Sequence, residues 1–176
     1  GGPVERYEVR GAPVSELFAE YGAPYYMKVD IEGADKDVVE QLSRLEEKPR
    51  FMSVEEWGVH ALDALAALGY DRFSVRTQWD KTWCRESGAE GPRTGFDFDH
   101  AVSGLFGREV PEWIPLAEAR ATFHRIARNE QGALMCRVGE FFDFHATRAE
   151  ELEGMPKPWA WLRPAFDALT RRQPGA

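Results

Sequence analysis

Between residues 25 and 78 the chain alternates short aromatic and β-branched runs with amphipathic stretches, joined by links too short to leave the neighbourhood. Tyr25–Ile31 reads as a strand, and the stripe Val38, Val39, Leu42 and Leu45 reads as one face of a helix whose first turn holds Asp35 and Asp37, where the helix dipole favours them. Arg50–Glu56 is again strand-like. Val59, Leu62, Leu65, Ala66 and Leu68 then form a second helical stripe, stopped at Gly69. Arg72–Gln78, with Phe73, Val75 and Thr77 on one face, completes a β-α-β-α-β run. That order predicts an α/β fold with a mostly parallel sheet and right-handed crossovers.

The flanks are less regular. Val4 to Val9 is expected as a short strand, and Pro13 to Glu20 as a helix with Val14, Leu17 and Phe18 inward. An irregular excursion is expected over 79–115, with a short strand at Phe96–His100 and a turn-rich loop at Ser103–Gly107. Pro115 then opens a helix with Leu116, Ala119, Phe123, Ile126 and Ala127 on its inner side. Leu134–Val138 and Phe141–Thr147 suggest a hairpin about Gly139. Residues 151–176 form a Pro- and Trp-rich tail, expected to end in a short helix through Leu162, Phe166 and Leu169.

With 176 residues, 43% hydrophobic and 30% charged, the chain has the composition of a globular protein with one core. No apolar run approaches the ~20 residues of a membrane helix and no basic-then-apolar leader begins it, so a cytoplasmic protein without membrane association is expected. A net charge of −8 speaks against nucleic acid as a partner. Cys84 and Cys136 are far apart with no CxxC pair, and reduced thiols are expected.

Chemistry concentrates at Lys28-Val29-Asp30-Ile31-Glu32-Gly33. Charges spaced by two project to one side of a strand, and each must be hydrated, paired or bound to a ligand. In open α/β sheets the working crevice lies beyond the carboxyl ends of the strands, where Asp30, Glu32 and Glu55 fall. These are the candidate catalytic carboxylates. The plainer alternative is that Asp30 caps the following helix and Glu32 pairs with Lys28 or an arginine. Lys28, Gln78, Ser103 and Gly104 are candidate substrate contacts. For Lys28 an ion pair with Glu55 is the preferred reading, Gln78 is equally a polar strand end, and Ser103-Gly104 with Gly107 is equally an ordinary turn. Glu55 and Glu56 could help gather Mg²⁺, or be held by Arg50, Arg72 or Arg76; no metal is expected. His60, His100, His124 and His145 share no ligand spacing. Asp97, Asp99 and His100 fit an edge strand better than a metal site. Trp113, Trp159 and Trp161 suit packing by default, an acceptor pocket being the alternative.

The segment Tyr26–Asp35 closely resembles the Lys-x-Asp-x-Glu-Gly signature of FkbM-type methyltransferases, and its flanks are similar too. Val9–Phe18 looks like the strand and helix before that motif. Phe51–Glu55 looks like the next strand, and Leu68-Gly69-Tyr70 with Phe73-Ser74-Val75 like the turn and strand after it. Ser103–Gly107 resembles a loop in one branch, with Leu105 in place of proline. The resemblance covers residues 1 to about 110 well. It implies a class I methyltransferase (Rossmann-like) sheet over residues 1–150, using S-adenosylmethionine to methylate a hydroxyl of a small molecule or carbohydrate acceptor. The family's first strands, with their Gly-rich cofactor turn and ribose-binding acid, have no counterpart here, so cofactor-binding residues are not assigned. The first strand is then left with a bare edge. Either this is the C-terminal portion of a larger protein, which is the expectation, or a partner covers the edge, as in a homo-oligomer. The competing functions are a non-catalytic α/β binding or oligomerising module and a Mg²⁺-dependent carboxylate hydrolase.

Overall fold

The computed structural model describes residues 7–99, 102–127 and 141–153. Its order is α1 (Val14–Tyr21), β1 (Tyr26–Val29), α2 (Asp35–Ser43), β2 (Phe51–Glu55), α3 (His60–Ala67), β3 (Arg72–Thr77), α4 (Leu116–Ala127) and β4 (Phe142–Thr147), with 3-10 turns at Gly107–Glu109 and Ala149–Leu152. The fold is α/β, with a four-stranded open sheet in the order β1-β2-β4-β3. β1 and β2 pair in parallel, whereas β4 runs antiparallel to both β2 and β3. The expected mostly parallel ladder is therefore corrected: one junction is parallel and two are antiparallel. β1, β2 and β3 still point the same way, as the β-α-β-α-β alternation implies. What changes the ladder is β4, which enters between β2 and β3 from the far end of the chain.

The partner strand of the expected hairpin, residues 134–138, lies outside the described residues. Both edges of β4 are taken by β2 and β3. β1 is paired on one side, and β3 gains a single antiparallel bridge from Ile114 to Phe73 on its outer side. The described part of the expected first strand, Tyr7–Val9, has no strand structure, and neither has Phe96–Asp99. The tail helix and Trp159 and Trp161 fall outside the described residues.

The two sheet faces differ in chemistry. One carries Met52, Val54, Phe73, Val75, Phe142, Phe144 and Ala146, and the buried stripes of α2 (Val39, Leu42), α3 (Ala61, Leu62, Leu65) and α4 (Ala119, Phe123) close over it. Phe123 meets the rings of Phe142 and Phe144 edge-on, at 6.1 and 5.1 Å between centroids. Two inward assignments fail: Leu17 is 44% exposed and Ile126 38%. Each lies at the margin of its helical stripe, where a short helix on a small sheet leaves apolar positions uncovered.

The opposite face is polar. Register sets Lys28, Ser53, His145 and Ser74 in one row across the strands, and Glu55, Asp143 and Arg76 in the next. Described residues of the excursion reach it, Trp83 against His145, Phe106 against Tyr26 and Pro111 O accepting from Ser74, with a 3-10 turn at Gly107–Glu109. Carboxylates tie this excursion together: Glu86 accepts from the backbone of Thr94 and Gly95, Glu109 from Ser87 and Glu90, and Glu90 from Arg108 and the Tyr25 hydroxyl. Gly104 has φ +94°, and a Cβ there would stand 2.7 Å from the Trp83 ring and 2.9 Å from Cys84 Sγ, so this glycine lets Trp83 pack down onto the sheet.

Phe144→Ala, at a wholly buried position on the inserted strand, should destabilise the fold by about 3–5 kcal/mol in urea denaturation, through lost transfer energy and the cavity left behind.

Candidate functional site

β1 stops at Val29, so Asp30 and Glu32 leave the strand instead of continuing its alternation. Asp30 is half-exposed just past the strand end, and its carboxylate lies 3.3 Å from Lys28 Nζ. Glu32 is exposed with φ 53°, a left-handed turn conformation ahead of Gly33 at φ 101°. The three charges therefore do not share one strand face. The capping alternative for Asp30 is also absent: Ala34 occupies the N-cap of α2 with no side-chain cap bond, and Asp35 is the acid that turns back, its Oδ2 3.4 Å from the Gly33 backbone nitrogen.

Lys28 pairs with Asp143, at 2.8 Å, and with Asp30, not with Glu55 as expected. The register explains the change, because Ser53 stands opposite Lys28 while β4 brings Asp143 into the row beyond. Burial works against the Lys28 ammonium, yet the charge and hydrogen bond of Asp143, aided by Asp30, hold its pKa above the ordinary value. Asp143 is 1% exposed. Burial raises its carboxyl above the usual range, the lysines offsetting this only in part, and its Oδ1 has no hydrogen-bond partner.

Glu55 ends β2 half-buried at the same rim. Burial raises its pKa first, and the negative charges of Asp30, Glu32, Asp143 and Asp35 add to it. Asp30, Glu55 and Asp143 thus share one electrostatic neighbourhood, with Lys28 paired to two of them. Glu56 is engaged elsewhere, accepting from the Gly58 backbone at 2.6 Å. Among the described residues no group of three or more His, Cys, Asp or Glu is placed to hold a metal ion. Arg50 pairs with Glu151 and Arg76 with Glu112, so neither clamps the rim acids.

Gln78 follows β3 and is 2% exposed. Its backbone N–H donates to Phe141 O at 2.9 Å, its Oε1 accepts from Lys81, and its Nε2 is unpartnered. Ser103 is exposed on the excursion, and Gly104 serves Trp83 packing as described. Trp113 packs 5.9 Å from the Phe51 ring. His60 and His124 are exposed, while His100 lies outside the described residues.

Asp143, His145, Lys81 and Trp83 are members of this polar layer that sequence reasoning did not single out. A signal was present: Phe142-Asp143-Phe144-His145-Ala146 alternates apolar and polar as strictly as the segment around Lys28. His145 is wholly enclosed, and burial, then the charges of Arg76, Lys28 and Lys81, push its pKa down to about 3.

No family model matches the chain, and neither a curated protein nor a solved structure matches it. Among the described residues no helix is long and apolar enough to cross a membrane.

Two outcomes test this layer. His145 is neutral in the fold and protonates near pH 6.5 when unfolded, so the unfolded state binds more protons below that pH and stability falls with acidification. His145→Gln should flatten the stability profile between pH 6.5 and 4 relative to the parent, by up to about 1.4 kcal/mol per pH unit. Lys28→Met strands the buried Asp143 carboxylate and should cost about 3 kcal/mol, most of it recovered when Asp143→Asn is added.

Proposed function

We propose that this chain is the acceptor-side portion of an S-adenosylmethionine-dependent O-methyltransferase similar to the FkbM type, acting on a hydroxyl of a small molecule or sugar. The observation that carries the proposal is that Asp30 and Asp143 both hold Lys28, while Glu55, the register partner of Asp143, feels both acids at the end of the sheet where β1 and β2 finish. Strand order supports it. β1, β2 and β3 follow the succession of the last three strands of a doubly wound sheet, with β4 wedged between the final two, and ligands of such sheets bind at the carboxyl ends. This is the sense in which a class I methyltransferase sheet is proposed.

Methylating an alcohol requires its oxygen to lose a proton as it attacks, with the reacting centres held near contact distance. Glu55 is the better proton acceptor of the candidates. Its carboxyl is lifted by burial and by neighbouring acids, so it binds a proton more readily than an exposed carboxylate does. Asp30 is steadied by Lys28, which Asp143 fixes in turn. Their chemistry fits the cationic end of S-adenosylmethionine: Asp30 and Glu32 are the carboxylates that would lie against it. When bound, that group supplies an electrophilic methyl. No strand-ending glycine turn for the adenosyl portion occurs among the described strands, so this chain's contribution is to the acceptor and the sulfonium charge.

The test is methyl transfer from radiolabelled S-adenosylmethionine by the full-length protein to a panel of hydroxylated acceptors. Glu55→Gln should lower kcat by about 10²–10⁴-fold. In the parent, activity should fall on the acid side below the raised Glu55 pKa, and Asp30→Asn should shift that limb to lower pH by removing a neighbouring negative charge. Transfer that persists unchanged in Glu55→Gln would remove it from the mechanism, and absence of transfer to every acceptor would sink the proposal.

A further inference from the structure

Behind the rim, Lys81 is 8% exposed, and its Nζ donates to Gln78 Oε1. Among the described residues it forms no ion pair, although a buried ammonium ordinarily has a counter-charge. Lys28 already holds Asp143, and Arg76 is occupied by Glu112, Ser74 Oγ and Pro111 O. The neighbours of Lys81 carry unused hydrogen-bonding capacity of the complementary kind. Gln78 Nε2 is a buried donor without a partner, His145 Nε2 is buried and unpartnered, and Asp143 Oδ1 is a buried acceptor without a donor. Trp83 lies between two of these groups, its ring 5.6 Å from Lys81 Nζ and 6.1 Å from the His145 ring centroid.

Buried polar atoms are almost always satisfied, so several orphans around one unpaired cation mark a place where something binds. Buried donors together with a carboxylate oxygen call for a ligand with an anionic group and a hydroxyl. We infer that the Lys81–Gln78–His145–Asp143 cluster binds a small hydroxylated carboxylate, its carboxylate against Lys81 and the Gln78 amide and its hydroxyl donating to Asp143 Oδ1. Burial holds the Lys81 pKa down, and an incoming carboxylate opposes that effect. A phosphate would set a second negative charge beside Asp143 and is the poorer fit. That such a ligand is also the methyl acceptor rests on the proposed transfer; the binding itself does not.

The experiment is a titration of the full-length protein with glycolate, acetate and inorganic phosphate, against sodium chloride at matched ionic strength. The Trp83 indole N–H and the His145 imidazole are followed by nitrogen–proton correlation. Glycolate should give saturable shifts at both, acetate weaker ones and chloride none, and Lys81→Met should abolish them. Gln78→Glu supplies Lys81 with an internal carboxylate; it should raise Tm without ligand and remove the glycolate response, which decides the matter even if Lys81→Met does not fold. Glycolate shifts no larger than those of chloride, tighter binding of phosphate, or an undiminished response in Gln78→Glu would each overturn the inference. Such a failure leaves the Glu55 test of methyl transfer standing, and a failure of that test leaves this binding intact.

Discussion

The ion pair between Lys28 and Asp143 joins the first strand of the sheet to the last. Neither charge is tolerable alone at that depth, since desolvating one without the other costs several kcal/mol. The pair therefore depends on β4 lying between β2 and β3, because that position alone carries Asp143 into the row beyond Lys28. The same strand supplies Phe142 and Phe144 to the helical side. One segment thus closes the apolar core and completes the polar layer, so core and site form together.

The polar layer has an unusual internal balance. Ser53, Ser74 and Thr147 are fully buried and find partners in the Tyr26 hydroxyl, Pro111 O and Arg50 O. These bonds turn half of the layer into ordinary satisfied interior. Beside them in the same layer, Asp143, His145 and Gln78 each keep a buried polar atom without a partner.

Much of the architecture was legible in the periodicity. The stripes Val39–Leu42 and Leu62–Leu65 are buried as their spacing implies, and Phe73 and Val75 face the helices. The rim position of Glu55 followed from its place at a strand end. What local pattern cannot report is which strand lies beside which. Phe142–Thr147 announced itself as a strand, but alternation carries a face and not a neighbour, so its crossing to β2 and β3 stayed hidden. Assigning Lys28 to Glu55 failed for the same reason. Spacing along the chain does not reveal His145, because its companions Lys81 and Gln78 follow β3 and come from a different part of the sequence.

The carboxylate ties of the excursion have a bearing on how the molecule comes apart. Hydrogen bonds from Thr94 and Gly95 hold the Glu86 carboxyl below its usual range. Bonds from Ser87, Glu90 and Gly88 do the same for Glu109 in spite of burial. Groups held low in this way contribute above their unfolded pKa and let go as acid reaches them. The helical side of the sheet is held mainly by apolar packing, with the Arg120–Asp63 pair linking α4 to α3. Acid therefore loosens the ties around Glu86 and Glu109 at the same time as it works against the buried His145 beneath them.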